Sequence, residues 1–461
     1  MSNWSFDLSP QMVPQVKTKW RTIATPIPVP ASRSLFQTLE QCEAVSMHGQ
    51  MPIVWDKAEG CQVSDPWGNT WIDFTSTIFV ANAGHGNPEI CKAIQDCIDK
   101  PLLHSYSYAT PVRVEFLREL THAAPYGLDK AFLLSAGTEA TECALKLMRL
   151  HGIKQGKRRR GIICFEGNWH GRTVGAQMMG YNQEQKKWIG YLDPDIHHLP
   201  FPYPWLSIDD AEDFFMTAFE TLCHEKGLNP HQDICGFMLE TFQGWAAAFY
   251  PPAFVQAVRK VADEIGALVC FDEMQAGFGR TGKLFGFEHY HVQADLLCCG
   301  KGISSSLPLS AVIGRDEILD LASIGSMSST HSANPMSCAA CLANLRYILK
   351  HNLPARSAAL GEYMLNRLKA MQKRFSPVFS WVLGRGLLAG LHFHHKGGSP
   401  AGKLASRICE LAMQRGLILV HTGRESIKLG PPLTIPQEAL DEGLDVLETC
   451  IADAIAERHN I

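Results

Sequence analysis

The sequence predicts an α/β fold with a mostly parallel central sheet and a smaller α+β region beside it. Three observations carry this. Short apolar runs recur at 131–134, 161–165, 234–239, 267–271, 296–299 and 310–313, separated by helical or loop segments from about residue 80 to 345. Strand and helix signals that alternate in this way mark parallel strands joined by crossovers and covered on both faces. After residue 346 the pattern changes to a helix over 360–375, strand pieces at 387–393 and 417–420, and helices over 403–414 and 437–457. Ahead of residue 80, a Pro-rich lead-in at 26–30 precedes two short strands within 62–74 around the Gly68-Asn69 turn. The expected segments are therefore 1–79, 80–345 and 346–461.

Composition limits the function classes. The chain has 461 residues, 46% of them apolar, and a formal net charge of −4. That suffices for a large core and shows no basic surplus that would favour nucleic acid or an anionic membrane. The basic cluster at 154–160 reads as a solvated connection. Met1-Ser2-Asn3-Trp4-Ser5-Phe6-Asp7 has neither the basic start nor the apolar stretch of a secretion signal, and no run approaches the ~20 residues of a membrane span. A soluble, cytoplasmic protein is the expectation.

The fifteen cysteines are scattered, mostly in apolar runs, so reduced core thiols are expected rather than disulfides. Cys338-Ala339-Ala340-Cys341 lies in an alanine-rich helical pattern with no second pair, which argues against zinc or redox chemistry. His392 and His394 would share one face of a strand while His395 points away. They read as an exposed strand end, and no metal site is expected.

The chemistry centres on Asp272 and Lys301. Ala267-Leu268-Val269-Cys270-Phe271 reads as a buried strand, which puts Asp272 at its carboxyl end, where open α/β sheets hold their ligands. Lys301 sits between Gly300 and Gly302. A buried carboxylate and a lysine amine are what pyridoxal phosphate requires: the amine condenses with its aldehyde, and the acid keeps its ring nitrogen protonated. Gly277-Phe278-Gly279-Arg280-Thr281-Gly282 also satisfies a dinucleotide-binding pattern. Residues 277–283 come within one residue of a P-loop, but Leu284 stands where the metal-binding hydroxyl belongs. Nucleotide binding there is the remote alternative.

Other motifs stand in order around this pair. Ser135-Ala136-Gly137-Thr138-Glu139 joins a strand to a helical stretch and would offer free amides and a hydroxyl to a phosphate, an ordinary helix cap being the competing reading. Asn168-Trp169-His170-Gly171-Arg172 follows the next strand. Glu240 ends another, and Gln275 lies just past Asp272. Together, over about residues 50 to 435, these segments resemble the class III (ω-) aminotransferases of the aspartate aminotransferase superfamily, pyridoxal-phosphate enzymes of fold type I.

The resemblance implies a large cofactor-binding domain with a mostly parallel seven-stranded sheet. It also implies that the amino-terminal segment packs with the carboxy-terminal part as one small domain. By the same resemblance, Lys301 and Asp272 are catalytic, Gly137 and Thr138 bind the phosphate, and Trp169 stacks on the pyridine ring. Glu240 lies near the bound amine, and Gln275 bonds the ring hydroxyl. Thr330, in Ser329-Thr330-His331-Ser332, reaches the phosphate of a neighbouring subunit, which implies a homodimer. The implied reaction is ping-pong amino transfer between an amine or amino acid and a keto or aldehyde acceptor. A decarboxylase, mutase or epimerase on the same scaffold is the alternative.

The sequence departs from the family at two places. Family members that use glutamate carry an acid after Gln-Gly and an arginine before a Pro-Leu run, and the two act as a switch. Here Trp245 replaces the acid and Lys428 the arginine. Lysine lacks the two-point fork an arginine offers a carboxylate. A pocket retuned to a diamine, an ω-amino acid or an amino sugar is expected. The alternative is that Lys428 still binds a carboxylate as a point charge.

Overall fold

The computed structural model describes residues 4–459. The chain forms two compact units, Met1–Asn87 together with Leu353–Ile461, and Pro88–Asn352.

The Pro88–Asn352 unit is organised by a seven-stranded sheet. Its strands are β1 (Lys130–Leu134), β2 (Gly161–Phe165), β3 (Ile196–Leu199), β4 (Ile234–Glu240), β5 (Leu268–Asp272), β6 (Leu296–Cys299) and β7 (Ser310–Gly314), in the spatial order β1-β7-β6-β5-β4-β2-β3. From β6 to β3 all neighbours are parallel, and β7 runs antiparallel to both β6 and β1. Every residue of β2, β4, β5, β6 and β7 is buried, which is why these strands read as unbroken apolar runs.

Alternation along β5 divides the two faces. Leu268 and Cys270 join the core cluster under helix α1 (Gly137–Lys154), with Ala140, Ala144, Leu147 and Met148 of that helix. Phe271 points the other way and stacks on Phe287 and Tyr290, at 5.2 and 6.2 Å between ring centres. Helix α2 (Pro252–Ile265) packs on β4 and β5, and α3 (Pro335–Lys350) packs against the helices Pro88–Asp99 and Pro111–Ala123. This last packing explains why the unit runs on to Asn352 rather than ending at 345.

In the other unit the strand Thr70–Asp73 is the hub. It pairs antiparallel with Gln62–Ser64 and parallel with Leu417–Ile418, so the first and last parts of the chain share a sheet. Trp71 is buried there and its Nε1 donates to the Met413 carbonyl at 2.7 Å. A second sheet of this unit aligns Phe379–Arg385, Leu388–Phe393, Ser426–Leu429 and Val420–His421.

Two sequence expectations are corrected. His392 and His394 are buried rather than exposed: His392 lies on Leu388–Phe393, an inner strand paired on both sides, and His394 follows its end, its amide donating to the Val378 carbonyl at 2.9 Å. The Trp381 ring stands edge-on to His394 at 4.9 Å. Among the described residues no group of His, Cys, Asp or Glu could hold a metal. The basic cluster at 154–160 is also no plain solvated loop. Lys157 is buried and donates to the Ile265 carbonyl at 2.7 Å, Arg158 Nε donates to Asp233 at 2.9 Å, and Arg159 Nε donates to Asp195 at 2.8 Å.

All fifteen cysteines are free thiols, and burial raises those of Cys338 and Cys341, which makes them poor nucleophiles. Among the described residues no helix is long and apolar enough to cross a membrane.

Candidate active site

Strand register brings the central residues together. β4 and β5 pair Glu240 with Asp272, and β5 and β6 pair Asp272 with Cys298. β6 ends at Cys299, and the chain turns directly into Lys301. Three adjacent parallel strands thus deliver Glu240, Asp272 and Lys301 to one edge of the sheet, their carboxyl ends.

Lys301 has φ +45°, a left-handed conformation that costs a non-glycine residue about 1 kcal/mol or more. Burial lowers its pKa from that of an ordinary lysine, while the charges of Asp272 and Glu240 oppose the shift. The amine is therefore biased towards its neutral, nucleophilic form.

Asp272 is fixed from two sides. Its Oδ1 accepts from the Met274 amide at 3.0 Å and its Oδ2 pairs with His170 Nδ1 at 2.9 Å. The Asn168 amide Nδ2 lies 2.8 Å from His170 Nε2 and donates to it, so the Nδ1 proton is directed at the carboxylate. The His170 carbonyl accepts from Thr141 Oγ1 of α1 at 2.7 Å. Sequence reading placed His170 in a motif without giving it this task. A buried, paired partner for a buried acid was the signal available.

Glu240 ties three loops. Its Oε1 accepts from the Trp169 amide at 2.7 Å, and its Oε2 accepts from the Gly244 amide at 3.0 Å and from Gln275 Nε2 at 3.4 Å. The Trp169 side carries the Arg172 guanidinium 4.5 Å from the ring centre. Burial raises the Glu240 carboxyl to about 7, with the Asp272 charge adding and His170 opposing. Glu273, buried behind the site and bonded by Thr241 Oγ1 and the Gly286 and Phe287 amides, is likewise raised to about 7 by burial.

This has a consequence for stability. A carboxyl raised in the folded state stabilises the fold below its ordinary value, near 4.5, and that contribution is lost as pH rises through about 7. Between pH 5 and 7.5 the stability of Glu240→Gln should fall less than that of the wild-type protein, by on the order of 2 kcal/mol in urea unfolding. Equal slopes would show that Glu240 titrates as an ordinary acid.

The start of α1 forms the remaining side. Ala136 at the N-cap has no side chain to occupy the first amides, and Glu139 reaches back to the Ser135 and Ala136 amides at 2.8 and 2.9 Å. Thr138 Oγ1 bonds Thr173 Oγ1 at 2.7 Å. Gly171, at φ +140°, passes so close that a Cβ there would lie 2.2 Å from Thr138 Oγ1. The Ser135 hydroxyl is buried here with no hydrogen-bond partner.

Other expected site residues lie outside this network. Thr330 is exposed ahead of α3, its carbonyl 3.2 Å from His104 Nε2, and it joins none of the hydrogen bonds described above. Trp245 is half-exposed in the turn after Gly244. Lys428 belongs to the other compact unit, buried on Ser426–Leu429 with its ammonium 5.5 Å from the Phe79 ring centre. The glycine pattern at 277–283 forms turns, with Gly279 and Gly282 at φ +90° and +93°. It leads to a short 3-10 turn at Gly286–Tyr290, so it does not open a helix as a dinucleotide site would.

Residues 44–451 match the family model for class III aminotransferases. The chain belongs to that family. A 2-aminoadipate transaminase of Pseudomonas putida is 35% identical over 410 residues, 87% of this chain and 96% of that protein. An alanine/serine racemase of Pyrococcus horikoshii is 30% identical over 417 residues, 88% of this chain and 86% of that one. Among solved structures, an (S)-enantioselective omega-transaminase from Thermomicrobium roseum superposes with a TM-score of 0.83 at 26% identity, covering 93% of this chain and 98% of that chain.

The fold is that of fold type I enzymes, and the chain is a transaminase whose cofactor is pyridoxal phosphate. The donor set of this class III aminotransferase fits that cofactor. There is a biased-neutral amine at Lys301 and a fixed acid at Asp272. A helix start at which no N-cap side chain takes the first amides lies beside the unpartnered Ser135 hydroxyl, as a phosphate would require.

Proposed function

We propose that amino transfer takes place at Lys301, between an amine or amino acid donor and a keto or aldehyde acceptor, by a ping-pong mechanism. The observation that carries the reading is the row of Glu240, Asp272 and Lys301 on three adjacent strand ends, with the lysine amine pushed towards neutrality by burial. Bound there, pyridoxal phosphate supplies an aldehyde for an amine and a protonated ring that withdraws electrons from the carbon bearing nitrogen.

The chain's own residues do the rest. Lys301, as a neutral amine, takes the proton from the donor's α-carbon and returns it. Asp272, held by His170 and the Met274 amide, would pair with the ring nitrogen of the bound cofactor. The Trp169 ring would stack on the cofactor, and the Gly137 and Thr138 amides with the Ser135 hydroxyl would take its phosphate. Gln275 would bond its ring hydroxyl, while Glu240 holds the Trp169, Gly244 and Gln275 loops in place. Thr330, exposed on its loop, is available to the phosphate of a second copy, so the working form is a homodimer. The protein acts in the cytoplasm.

The donor is a diamine, an ω-amino acid or an amino sugar rather than glutamate. In the sequence, Trp245 and Lys428 replace the acid and the arginine of a switch in which the arginine binds glutamate's carboxylate and otherwise rests on the acid, and a lysine offers only a point charge. Initial rates for a panel of donors should place ω-amines at least 10-fold above glutamate in kcat/KM, and strong, selective glutamate turnover would refute the assignment. The likeness to an alanine/serine racemase supports a second reading, in which the carbon that gave its proton to Lys301 is reprotonated on the opposite face by solvent or a second acid and no keto product leaves.

A further inference from the structure

The turn after β2 holds a buried side chain that takes no direct part in the reaction described above. Asn168 is 3% exposed, and its backbone is pinned on both sides. Its amide donates to the Phe165 carbonyl at 3.1 Å, and its carbonyl accepts from the Tyr181 amide at 3.0 Å. The side-chain Nδ2 lies 3.2 Å from the Met238 carbonyl of β4 and 2.8 Å from His170 Nε2. A carbonyl only accepts, so the group facing Met238 is the NH2 and not the oxygen. Its second hydrogen then points at His170, and Nε2 has to receive it on a lone pair. Asn168 Oδ1 is left buried with no hydrogen-bond partner among the described residues. A buried carbonyl without a partner is costly, and a residue kept only for packing would avoid that cost.

Charge explains why the cost is borne. His170 is buried near two acids, Asp272 of β5, with its Oδ2 2.9 Å from Nδ1, and Glu240 of β4. The other ionisable groups of this neighbourhood are Lys301, the buried Lys186, and His198 of β3, whose imidazole burial pushes down to about 4. Two acids attract a second proton to an imidazole, and Nε2 is the one place left to hold it. An imidazolium there would pair with Asp272 and take up the charge that the ring nitrogen of pyridoxal phosphate needs. The Asn168 NH2, itself a donor, blocks that position.

We infer that Asn168 is a positioning residue: it keeps His170 singly protonated, so that the charge of Asp272 stays free for the ring nitrogen of the bound cofactor. This deepens the function proposed above and rests on Asp272 being the partner of that nitrogen.

The test replaces Asn168 by Asp, which has the same shape but only accepts, and by Ala, which neither donates nor accepts. In steady-state kinetics of the holoenzyme, kcat should fall about 30-fold in Asn168→Asp and less in Asn168→Ala, with the donor's KM within about 3-fold. A packing role predicts the reverse order, since Asp preserves the volume. His170→Asn keeps an NH2 to face Asp272 but has no Nε2, so in that background Asn168→Asp should lower kcat by less than about 3-fold. A readout independent of turnover is the Nε2 resonance of His170 in proton–nitrogen correlation spectra of histidine-labelled protein, assigned by its loss in His170→Asn. Nε2 should carry no proton in the wild type and one in Asn168→Asp. A protonated Nε2 in the wild type overturns the inference, even where Asn168→Asp does not fold. So does the reverse order of the two variants, or an undiminished loss in the His170→Asn background. A wild-type holoenzyme that turns over no donor overturns the assignment of Lys301 and this inference with it, and is told apart by not depending on residue 168.

Discussion

Lys301→Ala should lower kcat/KM for every donor by about 10^4-fold or more while leaving the fold unchanged by circular dichroism. Two tasks are lost together: the amine that holds the cofactor and the base that moves the proton, and positioned proton transfer alone accounts for roughly 10^2 to 10^4. The lysine also sits at φ +45°, a strain that alanine would share, so the folded state has no new difficulty to absorb. Removing a buried amine whose pKa burial has already lowered takes away little stabilising charge. A small added amine should restore part of the rate in this variant. Residual activity within tenfold of the wild type would mean that another group carries the chemistry.

Asp272→Asn should lower kcat by about 10^2- to 10^3-fold, with KM for the donor changed much less. The substitution keeps the shape but removes the negative charge that favours a protonated ring nitrogen. Loss of one preorganised electrostatic partner typically has that size. It also disturbs His170, whose Nδ1 proton is aimed at Asp272 Oδ2 from 2.9 Å because Asn168 occupies Nε2. An asparagine turned with its oxygen to His170 preserves that bond but sets its NH2 against the Met274 N–H, so a loss of stability of about 1–3 kcal/mol should accompany a much larger relative loss in kcat. Steady-state kinetics beside thermal melts separate the two. A loss of rate only in proportion to the loss of stability would assign Asp272 a structural task instead.

Much of this arrangement was legible before any coordinates. β2 and β6 fall on the expected runs, and the other four expected strands differ only by a residue at their ends, because strands buried on both faces leave an unbroken apolar signature. β3 was missed. Ile196-His197-His198-Leu199 is a short edge strand in which two histidines break the apolar run, although His197 is buried. The reversed direction of β7 was equally hidden, since an apolar run carries no mark of polarity.

At the site, sequence motifs supplied the residues but not their wiring. Glu240 emerged as a tie between three loops only once the register of β4 against β5 was known. His170 took meaning from its distance to Asp272. His392 was misjudged because two-sided pairing of its strand depends on residues far away in the chain, and His394, just past the strand end, because its cover by Trp381 is equally a matter of pairing. Strand direction, partner count and long-range pairing are tertiary properties, and local pattern does not contain them.

The central claim is that the cofactor is held on Lys301 at this row of strand ends. Borohydride reduction of the holoprotein followed by peptide mapping by mass spectrometry tests it directly. The account predicts the pyridoxyl label on the peptide containing Lys301 and on no other lysine. Label on a different lysine, or none after incubation with pyridoxal phosphate, would contradict it.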